Sequence, residues 1–550
     1  MRSGGPVAFR FNGRAVQAPE GAPLLAALPH DRLPILQRSI RYHRPRAPFC
    51  GIGYCTGCLV RVNGTPNVRA CRYRPRPGDS VVTENSWPSP RFDLLGVLDV
   101  LFARGIDTVH GFRRPRFAVP WFHAVVRRLA GYGSLPRTGT PATLPNPGVS
   151  TEVLIVGAGR AGTATAERLT ELGSRPLVID RDPRAPRANG YGFRPGAVGA
   201  FLPPPSGGDG PPFRLLAVPD DGGAYEIRAR SVVVATGGYD ASLLFPGNDR
   251  PGVLTGDGAE SLIPPNAKPP FAHGLLVGGG PRAAAVLDRF GQSIDAVVAP
   301  GAVGSEVAAL AASLDVALYP RTLLLGARGR RGVRSVVLAA RGGGERFELR
   351  CDAVLLAHRR LPSVQLLFQA GAAMAWVREP GAYLPVREGG ATTVPGLYVT
   401  GAAAGAADSV EDGRRVADDV ARSRPPAPRP PRVPEAPVAS EMEGYYREWL
   451  QRPPGRGKLV ACACEDVLLD ELEEAERRGF RGIEVLKRYT SLGTGLCQGR
   501  YCLPDALLLL AIWEGRPPAD VGYITQRPPV VPAVLAQLAG LADPEVEAGT

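Results

Sequence analysis

The chain has 550 residues, enough for three or four domains that each bury a core, and its 68 glycines and 57 prolines are spread among apolar segments, which excludes a low-complexity chain. No run of about 18 apolar residues is present, so no integral membrane segment is expected. The net charge of +13 carries no nucleic-acid signal: only Lys268, Lys458 and Lys487 are lysines, the arginines are scattered, and no basic stripe interleaves with aromatics.

The first residues lack the long apolar core of a secretory signal, so a cytoplasmic location is expected, where cysteine patterns bind metal or do redox work. The stretch "VAFRFNGRAVQAPEG" predicts a β-hairpin turning at Asn12-Gly13. It precedes "FCGIGYCTGC", where Cys50-x4-Cys55-x2-Cys58, with Cys71 after twelve intervening residues, gives the plant-type 2Fe–2S spacing with a shortened last gap. Zinc is the competing occupant, but its sites usually pair two short Cys-x2-4-Cys knuckles. Gly51, Gly53 and Gly57 suit a loop that wraps a cluster, because glycine takes positive φ cheaply and lets backbone N–H groups approach sulfur.

The segment "TEVLIVGAGRAGTATAERLTELGSRPLVIDRD" is an apolar strand, a glycine turn, an amphipathic helix and a second strand. Gly157, Gly159 and Gly162 form G-x-G-x-x-G in the setting that gives the motif meaning: a tight turn, room for pyrophosphate at the helix N-terminus, and close helix–strand packing. Asp180 ends the second strand, placed to accept a ribose 2′-hydroxyl hydrogen bond; the alternative is a Rossmann unit without a ligand. A further apolar strand ends at Thr236-Gly237-Gly238. "GLLVGGGPRAAAVLDRFGQSIDAVVAPG" then repeats the unit in degraded form, with Ala283 in the third glycine position and Ala299-Pro300 where an acid should stand. Cys351 is expected to be a buried strand residue, and "PGLYVTGAAAGAADSVEDGRRVADDVA" a strand, a small-residue turn containing Gly401, and a helix.

Near the end, Cys462 and Cys464 form "CAC", and Cys497 and Cys502 follow in "CQGRYC". Helical periodicity between them predicts that helices bring the two pairs together as a four-thiolate site, for a second 2Fe–2S cluster or for zinc. No hydrolytic triad is apparent, and the six histidines are scattered.

The stretches "RSIRYHRPRAPFCGIGYCTGCLVRVNGTPNVRAC", "ENSWPSPRFDLLGVLDVLF", "LFPGNDRPGVLTGDGAE" and "LKRYTSLGTGLCQGRYC", followed by "TQRPPVVP", resemble the α subunit of heterotetrameric sarcosine oxidase. The same family includes the electron-transfer subunits of opine oxidase, hydrogen cyanide synthase and hydroxyproline dehydrogenase. The resemblance covers nearly the whole chain. It implies an α/β multidomain protein: an N-terminal β-grasp 2Fe–2S ferredoxin domain, a two-domain Rossmann-like pyridine-nucleotide oxidoreductase core, and a C-terminal helical 2Fe–2S-binding domain.

The resemblance also implies a separate FAD-containing, D-amino-acid-oxidase-like β subunit that binds and oxidises an amine or amino acid. FMN would be shared between subunits, and FAD or NAD would sit in the core. It places "TQRPPVVP" near the shared flavin, with Arg527 as phosphate partner. Three departures accompany it. The aminomethyltransferase-like half is missing, Gly401-Ala402 replaces the usual Gly-Asp of flavoproteins of this fold, and only 55 residues separate Asp180 from Thr236.

The expected organisation is a ferredoxin-like domain at 1–85, a helical connector at 86–147, and a dinucleotide domain at 148–265 and 346–425. That domain is split by a degraded nucleotide-binding-like unit at 266–345. A proline-rich linker at 426–455 leads to the second cluster domain at 456–550. The expected function is the electron-transfer subunit of a flavin-dependent amine or amino-acid dehydrogenase or oxidase. A stand-alone NADH-dependent acceptor reductase and a non-catalytic redox-sensing or cluster-carrying protein are the alternatives.

Overall fold

A computed structural model describes residues 5–28, 33–102, 117, 119–120, 147–182, 185, 190–203, 212–220, 222–264, 267–427, 440–452 and 458–541. Most of the expected connector at 86–147, half of the proline-rich linker expected at 426–455 and most of the loop "LPPPSGGDGPP" lie outside these residues; the linker's described half is not a spacer but carries the helix Glu441–Leu450, with Tyr445, Tyr446 and Trp449 buried. The chain divides into two compact units. One comprises residues 1–137, 240–360 and 439–522; the other comprises 138–239, 361–438 and 523–550.

In the first unit the hairpin is present. Val7–Phe11 pairs antiparallel with Arg14–Ala18, and Asn12 and Gly13 take φ of 48° and 79° at the turn, as two-residue hairpins of this hand require. These strands join a five-stranded sheet through Ser80–Thr83, parallel to the first strand, followed by Leu59–Val62 and Thr65–Arg69. Phe9, Leu24, Leu36, Val60 and Val81 fill its core.

A second, all-parallel sheet in this unit runs Val253–Thr255, Ala353–Leu356, Gly274–Val277, Ile294–Val298 and Ala317–Tyr319. Its central strands are short and buried on both faces, as parallel strands under helices must be. The helices Glu441–Leu450, Leu469–Arg477, Ile483–Thr490 and Leu503–Glu514 belong to the same unit. Cys351 lies buried between strands of this unit, and burial pushes its thiol up to about 12, which keeps it protonated and inert.

The second unit holds a larger sheet in which Leu177–Asp180, Val149–Val156, Tyr225–Val234 and Leu397–Val399 lie parallel and adjacent. Helices Arg160–Glu171 and Ser409–Ala421 pack together closely enough that a Cβ on Gly413 would stand 2.4 Å from the Ala161 carbonyl.

Two expected boundaries move. Val253–Thr255 and Ala353–Leu356, assigned from sequence to the dinucleotide domain, pair into the sheet of Gly274–Val277, so the exchange points fall at residues 240 and 360. These are short apolar strands without periodicity, and nothing local says which sheet receives them. Residues 523–541, assigned to the C-terminal cluster domain, belong instead to the dinucleotide unit. There the Val530 N–H donates to the Gly199 carbonyl at 2.7 Å, and the Val530 side chain joins the core with Leu154.

Candidate cluster and nucleotide sites

The N-terminal cysteine loop is shaped by its glycines in two ways. Gly51 and Gly53 take φ of 64° and 80°, whereas Gly57 is required for closeness: a Cβ there would lie 2.3 Å from the Ala47 carbonyl. The loop thereby turns all four thiols inward, and Cys50, Cys55, Cys58 and Cys71 are buried. Backbone N–H groups reach the sulfurs, from Cys55 to Cys50 at 3.3 Å and from Gly57 to Cys55 at 3.4 Å. The thiols bond in pairs, Cys50 with Cys55 and Cys58 with Cys71.

The C-terminal set repeats this arrangement. Cys462 ends the strand Val460–Cys462, Cys464 lies in the turn that follows, and Cys502 caps the helix Leu503–Glu514. All four cysteines are buried, pairing Cys464 with Cys497 and Cys462 with Cys502. Among the described residues, no three or more His, Cys, Asp or Glu side chains converge as they would round a single ion. Each set is instead two thiol pairs.

One thiol in each set is held down. Burial opposes ionisation of Cys50, but the Cys55 thiol and the N–H groups of Cys55, Ile52 and Tyr54 outweigh it and bring Cys50 to about 6. Cys497 is lowered to about 7 by its bond with Cys464, against burial, with help from the N–H groups of Tyr501 and Gly499 and the charge of Arg500. Cys55, Cys58, Cys464 and Cys502 are pushed up by their thiol partners and by burial.

The two sets, read from sequence as belonging to separate domains, meet at one cavity, which Cys55 of the first and all four cysteines of the second line. Thr56, Arg46 and Asp249 also line it. Part of its wall is a buried ion-pair network that the sequence reading missed. Arg44 grips both oxygens of Asp249 at 2.7 Å each, Arg46 donates to Asp249 at 2.7 Å, and Arg46 also pairs with Asp466. Asp466 further accepts the Arg41 N–H at 2.8 Å. Burial would raise the Asp249 carboxyl, but the two guanidiniums hold it well below the usual range. Arginines scattered along a basic chain give no signal of this network; its members come from three distant segments.

In the second unit the glycine turn has the geometry the motif implies. Gly157 has φ of 112°, and a Cβ on it would lie 2.3 Å from the Ala235 carbonyl. A Cβ on Gly162 would sit 1.9 Å from the Gly157 carbonyl, while the space before Gly159 is open to 4 Å. Asp180 differs from expectation. Its Oδ2 accepts the Ala158 N–H and its Oδ1 the Asp182 N–H, both at 2.7 Å, so the carboxylate holds the turn itself.

Thr236 donates its hydroxyl to the Ser363 carbonyl at 2.7 Å, and Gly237 accepts from the Ser363 N–H at 2.9 Å with φ of 72°. Gly401, at φ of 67°, donates its N–H to the Asp412 carboxylate at 2.8 Å; Thr400 and Arg387 donate to the same carboxylate at 3.0 Å. Asp412 was not singled out from sequence, since a lone acid in a helix carries no motif. Arg527 is exposed.

Among the described residues no helix is long and apolar enough to cross a membrane. Residues 4–86 match the model of a 2Fe–2S iron–sulfur cluster binding domain, and residues 457–541 match that of the sarcosine oxidase A3 domain. The chain is 26% identical to the sarcosine oxidase α subunit of Rhizobium meliloti (strain 1021), over 97% of its own length and 58% of that relative's. It therefore spans little more than half of that protein. It is 27% identical to an opine oxidase subunit of Agrobacterium tumefaciens (strain Ach5), over 71% of this chain and 92% of the relative. The fold matches the crystal structure of L-proline dehydrogenase from P. horikoshii with a TM-score of 0.64 at 19% identity, covering 98% of both chains. With both cysteine sets assembled and the two terminal domains matched, the chain is similar over nearly its whole length to the α subunit of sarcosine oxidase and over 71% of it to an opine oxidase subunit.

Proposed function

We propose that this chain is the electron-transfer subunit of a flavin-dependent amine or amino-acid dehydrogenase or oxidase, working in the cytoplasm. The observation that carries the reading is the pair of buried four-thiol sets that meet at one cavity, reached by Cys55 of the first and by all four cysteines of the second. The donor chemistry fits a 2Fe–2S cluster at each set. Two irons take two thiolates apiece, which suits paired thiols better than one ion with four equivalent ligands, and N–H groups aimed at sulfur are the usual tuning device of such centres. When bound, these clusters would supply one-electron transfer. Cys50, Cys55, Cys58 and Cys71 would hold one, and Cys462, Cys464, Cys497 and Cys502 the other.

The chain's own residues do three things in this scheme. They exclude water from the thiols by burying every sulfur, they neutralise thiolate charge with N–H groups and with Arg500, and they fix the two loops against each other. In the second unit Gly157, Gly159 and Gly162 would seat the pyrophosphate of FAD or NAD, with Thr236, Gly237 and Gly401 at neighbouring turns and Asp180 ordering the loop. Amine oxidation itself is assigned to an FAD-containing partner of the D-amino-acid-oxidase type, because the relatives that this chain matches are themselves parts of larger oxidases. Such a partner would share FMN near residues 525–532, where exposed Arg527 could meet its phosphate.

Metal analysis tests the cluster reading. Anaerobically purified chain is expected to hold about four iron and four sulfide and little zinc, as two 2Fe–2S clusters require. Two iron with one zinc would overturn the C-terminal assignment and leave the N-terminal one standing.

A further inference from the structure

Thr56 belongs to the N-terminal ligand loop, between Cys55 and Gly57, yet it lines the same cavity as Cys464 of the C-terminal set, and its hydroxyl acts on that sulfur in the direction that favours the thiolate. Its position is fixed from several sides. The Thr56 carbonyl accepts from the buried Gln37 amide, and Gly57 is pressed against Ala47, so the loop has no room to retreat. Thr56 is itself 4% exposed and lines the cavity that Cys55, Cys464 and Cys497 share.

Two aromatic contacts bind the same pair of loops. The Phe49 and Tyr501 rings meet edge to face at 5.2 Å, and Arg500 lies over the Tyr54 ring at 4.2 Å.

We propose that Thr56 is a positioning residue that tunes the C-terminal cluster from the N-terminal loop, raising that cluster's reduction potential through its hydroxyl on Cys464 and so setting the direction of electron flow between the sets. This rests on the two-cluster reading given above. The physics is direct. Reduction adds one electron and breaks no bond, the added charge spreads onto the ligand sulfurs, and a donor hydrogen bond to sulfur stabilises the more negative state. Because the donor sits on the other loop, the coupling lasts only while the two sets stay face to face.

The test is a potentiometric titration of the full chain with dithionite as reductant, followed by electron paramagnetic resonance. The signal that Cys497→Ser removes or alters identifies the C-terminal cluster. In Thr56→Val, the reduced-to-oxidised ratio of that cluster at the parent's midpoint should fall about tenfold, which is about 59 mV for a one-electron couple. Thr56→Ser, which restores the hydroxyl, should return the parent value, and Thr56→Ala carries the valine expectation should the branched side chain cost iron. A Thr56→Val chain with four iron and an unshifted C-terminal midpoint would overturn the proposal alone. A parent chain with two iron and one zinc would overturn the cluster reading and this proposal with it.

Discussion

The guanidinium of Arg500 lies 4.2 Å over the ring of Tyr54, joining the residue before Cys55 to the stretch between Cys497 and Cys502. Arg500 also donates to the Cys497 carbonyl at 3.0 Å, so one side chain stiffens its own ligand loop and clamps the other. Desolvated contacts of this kind contribute about 0.5–2 kcal/mol. A double-mutant cycle of Arg500→Ala and Tyr54→Leu, read from urea unfolding, should return a coupling energy in that range, and Arg500→Lys should lose most of it because ammonium does not stack. Strictly additive effects would mean the contact contributes nothing to holding the loops together.

For the nucleotide unit the expectation divides by residue. Gly159 faces open space, so Gly159→Trp should fold normally and abolish binding of a dinucleotide by occupying the pyrophosphate path. Asp180→Ala should weaken binding by roughly 1–3 kcal/mol and also loosen the turn, since Ala158 and Asp182 lose their acceptor. Calorimetry with NAD and FAD on each variant measures this. Binding by both variants at the parent's affinity would remove the turn from the site.

How much of this was legible in the residues divides along chain distance. The Asn12-Gly13 hairpin, the glycines of both loops and the 151–182 unit are local patterns, and the structure contains all three as elements. Gly57 has no positive φ but does bring its N–H to the Cys55 sulfur, as the loop pattern predicts, and the close contact with Ala47 adds a requirement that the local sequence does not show. The convergence of Cys55 and Thr56 with Cys464 and Cys497 was not legible, because nothing in either loop names its neighbour from the far end of the chain. The same holds for Arg46 with Asp466 and for Asp412 beneath Gly401.

His358 provides a pH prediction. Both ring nitrogens are buried without a hydrogen-bond partner, and burial, aided by the charge of Arg359, lowers the imidazole to about 3. The folded chain thus stays neutral there while the unfolded chain takes up a proton below about 6.5. Stability should therefore fall as pH drops from about 6.5 toward 3, by at most about 1.4 kcal/mol per pH unit. Between pH 7 and pH 5, His358→Leu should lose about 1–2 kcal/mol less than the parent in urea unfolding, a figure reduced from the limit because the ring is not wholly enclosed. Parallel curves for the two chains would show that the imidazole is charged or solvated in the fold.

In the proposed function, electrons from an amine are released at a partner flavoprotein and enter this chain through its paired cysteine sets. The most direct measurement mixes the co-produced complex with amine or amino acid under anaerobic conditions. It then follows flavin bleaching by absorbance and cluster reduction by rapid-freeze electron paramagnetic resonance. Cluster signals should rise as the flavin is bleached and reoxidised, and in a Cys497→Ser complex the flavin should bleach normally while electrons fail to leave it. Flavin reduction in the parent complex with the clusters remaining oxidised, or amine turnover by the isolated chain, would contradict the proposed function.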